Sequence, residues 1–89
     1  MPRIIISADE DTLSSGIGNS TTVDNARFVR VYNNSGADAV LYTQDSNYSG
    51  IGSITIKSGS IETIEKHPED TIYHIGSGSI KVARVGVSA

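Results

Sequence analysis

His67 and His74 lie on either side of Glu69 and Asp70, and imidazoles with carboxylates are a donor set that suits zinc. A metal centre needs three or four such donors converging. Seven residues across Pro68 match none of the spacings that bring them together. Both histidines are therefore expected to be ordinary surface or partly buried residues, with His74 alternating with Tyr73 in an extended run. Asp9-Glu10-Asp11 gathers three acids, but a calcium loop counted from Asp9 needs Gly and Glu where Ser14 and Ser20 stand. The strings Gly16-Ile17-Gly18, Gly50-Ile51-Gly52 and Gly76-Ser77-Gly78 look like phosphate cradles. None leads into a helix whose N–H groups would face an anion. Serines abound without a Gly-x-Ser-x-Gly elbow, and neither His has an orienting partner by sequence. With no cysteine, thiolate chemistry, thiolate metal sites and disulfides are excluded. No cofactor and no enzymatic activity are expected.

Tyr32, Tyr42, Tyr48 and Tyr73 offer another chemistry, since aromatic faces stack on sugars, and a small carbohydrate-binding module is one reading. No Trp is present, and positions 32, 42 and 73 fall in strands where they pack in or on a sheet. Net charge is −3, with seven basic residues scattered singly. Nucleic-acid binding needs several positive charges on one face, so neither DNA nor RNA is an expected partner. No apolar run approaches a membrane span, and Pro2 to Ser7 is too short for a secretory leader. A soluble product with no membrane partner is expected.

The elements that position these residues are short. Ile, Leu, Val and Phe make 22 of 89 residues, with 12 Ile and 7 Val against 2 Leu. Branching at Cβ disfavours helix and packs well on a pleated surface. One all-β domain is predicted over 1–89, a small antiparallel sandwich or barrel of seven to eight short strands. Runs are predicted at 3–7, 26–32, 39–43, 53–57, 60–64, 71–75 and 79–87. Residues 8–25, with weak apolar beats at Leu13, Ile17 and Val23, form either an irregular strand or a long loop over the sheet. Asn33 to Gly36 predicts a hairpin joining 26–32 to 39–43. Ser58-Gly59 predicts another joining 53–57 to 60–64. One brief helical turn is expected to begin at Pro68.

In the last run, Ile80 and Val82 are even-numbered, while Val85 and Val87 are odd. A strand's period is two, so either a bulge near Ala83-Arg84 or cover on both faces is required. Ile4-Ile5-Ile6 raises the same question, because a strand with one wet face alternates. Either Ile5 or the Ile4/Ile6 pair should face outward, to be covered by a second subunit or another neighbour. The competing lid is segment 8–25 through Leu13 or Ile17. Tyr48 and Ile51, the large apolar groups of a polar tip over 45–52, either touch a neighbouring chain or pack locally.

Several phrases resemble small virion structural proteins of tailed marine cyanophages. They are Pro2-Arg3-Ile4-Ile5-Ile6-Ser7, Ser14-Ser15-Gly16-Ile17-Gly18, Arg27-Phe28-Val29-Arg30-Val31-Tyr32-Asn33, Glu65-Lys66-His67-Pro68-Glu69-Asp70-Thr71-Ile72 and Val82-x-x-Val85-Gly86. The resemblance implies a non-enzymatic component of the particle, above all a capsid decoration or cement protein, or else a neck, tail or fibre-associated one. Its partners would be other virion proteins (major capsid or tail proteins) and further copies of itself, as a homo-oligomer. It would reside in the virion, assembled in the host cytoplasm.

Overall fold

Alternating Ile and Val give each run one apolar face, and two such faces bury each other when the runs separate into layers. The computed structural model describes residues 3–76 and 78–88. Among them eight strands form: β1 (Arg3–Ile6), β2 (Asp11–Ser14), β3 (Phe28–Tyr32), β4 (Ala39–Gln44), β5 (Gly50–Ile56), β6 (Ile61–Glu65), β7 (Thr71–Ile75) and β8 (Ser79–Ser88). One sheet runs β1–β8–β3–β6 with β2 also on β8, and the other runs β5–β4–β7. Every strand pair is antiparallel. The all-β class read from composition is what the chain adopts, in a sandwich-like arrangement. Leu13, Val29, Val31, Ile80 and Val82 of the first sheet meet Ala39, Leu41, Ile56 and Ile72 of the second in one core.

Neither predicted hairpin forms. β3 pairs with β6 and β8, while β4 pairs with β5 and β7. A hairpin would have set Val31 beside Leu41 in one sheet, leaving both in need of a facing layer. Crossing between sheets lets each layer cover the other. The two crossings run side by side and are tied by Asn33, which is fully buried. Its amide nitrogen donates to the Ala37 and Ile56 carbonyls, both at 2.8 Å, and its Oδ1 accepts from the Ser35 N–H and hydroxyl. Its backbone N–H donates to the Ser60 carbonyl, and its carbonyl accepts from Gly59 N–H at 2.7 Å. The Lys57–Ser60 turn needs Gly59 for its φ of +81°, yet it joins two sheets. The hairpin that does form is β4–β5, around a tip shortened to 45–49 because Gly50-Ile51-Gly52 lies within β5.

β8 keeps one register across β3 and carries no bulge. Ile80 and Val82 face the core, while Ala83 and Val85 are buried on the opposite face, where Val85 lies between Ile6 and Phe28. Cover on both faces resolves the phase change. Ser77 and the side chain of Val87 lie outside the described residues.

Segment 8–25 combines both expectations, since β2 forms at 11–14 and the rest wraps the edge of β7. Gly16 N–H donates to the His74 carbonyl, and Thr21 and Ile72 exchange two backbone hydrogen bonds. The brief helix lies here, a 3-10 turn at Ile17–Asn19, instead of at Pro68. At Pro68 one hydrogen bond, Asp70 N–H to the His67 carbonyl, closes a simple turn. Proline supplies a suitable φ there but no donor to continue.

Candidate interaction surfaces

β1 and β2 lie end to end on one edge of β8. β1 pairs with 85–88 and β2 with 79–82, so Ser7–Glu10 spans only Ala83 and Arg84. Two extra residues preserve the face. Ile4 and Ile6 stay on the outer side with Val85, and Leu13 turns inward onto Ile80. The Ser7 hydroxyl anchors the loop on the Arg84 carbonyl. Ile4, Ile5 and Ile6 are 48%, 51% and 85% exposed. Ile5 lies on the other side of the strand, its Cβ only 3.4 Å from where a side chain on Gly86 would begin.

The lid expected from 8–25 does not close over them. Leu13 belongs to the core and Ile17 is itself exposed. The segment instead forms a wall. Ala8, Asp9 and Glu10, with Arg30, border a groove of about 490 Å³ floored by Ile4, Ile6, Ala83 and Val85. Glu10 and Arg30 pair at 3.1 Å on its margin. This breaks up the acidic triplet, since Asp11 enters β2.

Asp45 organises the tip at 45–49. Its Oδ1 accepts from the Asn47 and Ser49 N–H groups, and its backbone bonds both Tyr48 and Ser49. Tyr48 stands 68% exposed at a φ of +63°, a conformation that side chains with a Cβ rarely adopt. Ile51 is the unpaired residue of a β-bulge, since Thr43 faces Gly52 and Gln44 faces Gly50, and it is 59% exposed. Tyr48→Gly is expected to relieve about 1 kcal/mol of backbone strain, raising the melting temperature by roughly 4–8 °C. A fall on thermal melting would mean that the ring packs against its own domain.

Ile51 also borders a groove of about 730 Å³ with Arg27, Glu65, Lys66, His67, Pro68 and Asp70. Arg27 is held by Glu65 at 2.9 Å. Lys66 is buried, its ammonium donating to the His67 and Pro68 carbonyls. Burial pushes its pKa below the ordinary value, while Asp70 and then Glu69 pull it back up. Below that lowered pKa the lysine is charged in both states, and the buried charge costs stability. As pH climbs through it toward 10.5, the folded protein sheds the proton first and the cost is relieved. Wild type is therefore expected to gain melting temperature relative to Lys66→Met over that alkaline interval. A difference that stays flat with pH would show a fully hydrated ammonium.

His67 and His74 are not brought together. His67 is exposed at the turn, whereas His74 is fully buried in the core. His74 Nε2 meets the Leu13 carbonyl at 2.9 Å, so that nitrogen carries the proton, and Nδ1 has no partner. This bond fastens β7 to β2 across the two sheets, a role no spacing in the sequence announced. Among the described residues no three His, Asp or Glu side chains gather as a metal site. The tyrosines are also dispersed. Tyr42 and Tyr73 stack on each other at 4.9 Å on the outer face of the second sheet, Tyr32 lies on the first sheet between Lys81 and Ile61, and Tyr48 is on the tip.

No family model, curated protein or solved structure matches the chain.

Proposed function

We propose that this chain is a non-enzymatic virion structural protein of a tailed phage, serving as a capsid decoration or cement protein. The resemblance of its phrases to small cyanophage particle proteins supports the reading. The observation that carries it is the isoleucine-lined groove on the first sheet. Ile4 and Ile6 are 48% and 85% exposed on β1, over the buried Val85 and Ala83 that floor the groove, and β1 is held in register by β8. Contiguous exposed apolar surface on a rigid sheet marks a contact, and a particle offers many identical neighbours to meet it. A neck, tail or fibre position would use the same face. A glycan platform has less support, because the tyrosines are dispersed and Tyr42 and Tyr73 each give one ring face to the other.

The test is mass spectrometry of purified virions from the source, followed by adding the protein to particles that lack it. Co-sedimentation at a fixed copy number per particle is expected. Absence from virions, with no capture by particles, would overturn the reading.

A further inference from the structure

The four outer edges of the two sheets are not equally protected. The edge carrying β1 and β2 bears Asp11, and the edge at β6 carries Glu62 and Glu65. The β7 edge is covered by Gly16 and Thr21, whose backbone groups bond it directly. β5 is the exception. Gly50-Ile51-Gly52-Ser53-Ile54-Thr55-Ile56 has no charge and no proline, and all but Ile56 are exposed. Its outer backbone groups face away from β4, a ready template for another strand.

We infer that β5 pairs antiparallel with β5 of a second copy across a two-fold axis at Ser53, joining two three-stranded sheets into one. The occupant follows from the strand's own pattern. About Ser53 the two-fold sets Gly52 of each copy opposite Ile54 of the other, and Ile51 opposite Thr55. Gly52 and Ile54 lie on the same side of β5 as the buried Ile56. There a groove of about 300 Å³ opens between the sheets, lined by Leu41, Thr43, Gly52, Ser53, Ile54 and Ile64 with Glu65. A side chain on Gly52 would meet no atom of its own chain within 4 Å. The groove thus has an empty position at Gly52, and Ile54, 48% exposed, is the apolar group that the two-fold delivers to it. No like charges oppose along the seven residues. The same operation on β6, about Thr63, would set Glu62 opposite Ile64 and Glu65 opposite Ile61, crowding four carboxylates into a five-residue seam.

This pairing deepens the assembly reading and rests on it for the class of partner, a further copy of the chain. It is tested by sedimentation of the intact protein with three variants. Wild type is expected to dimerise. Ser53→Lys and Ser53→Asp place like charges face to face on the axis, and each is expected to weaken the dimer at least tenfold. An equimolar mixture of the two should restore it, because lysine then faces aspartate. Gly52→Val fills the position meant for Ile54 and is expected to yield monomer with an unchanged or higher melting temperature. A monomeric wild type, or a dimer indifferent to Ser53→Lys, would overturn the pairing. Capture by particles is scored separately. A monomer that decorates particles rejects the pairing alone, and a dimer that ignores them rejects only the virion role.

Discussion

Asn33→Ala is expected to lower stability by about 3 kcal/mol, the largest loss that any single polar side chain here should produce. The change strands the buried Ile56 carbonyl, bonded at 2.8 Å, and takes one of two donors from the Ala37 carbonyl, which keeps the Ser35 hydroxyl at 2.9 Å. A buried acceptor left without its donor costs roughly 1–3 kcal/mol. The same change frees Ser35 from the oxygen that held its N–H and hydroxyl. At about 4–8 °C per kcal/mol for a domain of this size, melting should fall by roughly 12–24 °C. Asn33→Asp separates volume from chemistry. It keeps the Ser35 bonds but presents oxygen to two carbonyls, so it should do no better than alanine. A drop below about 0.5 kcal/mol, the ordinary scale of a surface change, would show that water replaces the amide at this corner.

Replacing both Ile4 and Ile6 by Asp should have the largest effect on assembly and little on the isolated domain. Ile6 is 85% exposed and Ile4 about half, so charging them forfeits little burial within the chain. Backbone pairing of β1 with β8 remains. If a partner covers the groove, each isoleucine contributes about 1.5–3 kcal/mol of burial there. The pair then accounts for roughly 10²–10⁴-fold in affinity for particles. Co-sedimentation with particles, measured beside thermal melting, separates the outcomes. Melting that falls as steeply as binding would assign these residues to the fold.

The class of fold was legible because it rests on composition, an Ile/Val bias shared by most of the runs that a pleated surface uses well. Strand 71–75 was read to the residue for the same reason. The partners of each strand were not legible. Asn33-Asn34-Ser35-Gly36 and Ser58-Gly59 are good turn formers, and a turn's local chemistry does not state whether the chain returns beside itself or crosses to the opposite layer. The deciding contact, Asn33 on Ile56, spans 23 positions. Segment 8–25 failed differently. Val23, Asp24 and Asn25 all take φ between +53° and +58°. For a buried, β-branched Val23 that is a conformation only tertiary packing can impose. Among the interface candidates, strand period left a choice between Ile5 and the Ile4/Ile6 pair, and the pairing of Ile6 with Val85 decides which face is the outer one. The uncharged edge at β5 needed the sheet order, because a strand's sequence does not say which side lacks a neighbour.

The crossings also govern time. β4–β5 is the hairpin among the pairings; the others bring together segments far apart in the chain, and β1 meets β8 across Arg3↔Ser88. Closing such long loops delays the reward of contact, so refolding from denaturant should take milliseconds to seconds. During synthesis β1 and β2 must wait for β8. Until β8 has cleared the ribosome, β1 and β2 have no strand to join and β3 has only β6, and the isoleucines at 4–6 travel unpaired. A nascent chain stalled before residue 79 is expected to be sensitive to protease at β1 and β2, which pair only with β8. Protection should arrive in one step once β8 is released.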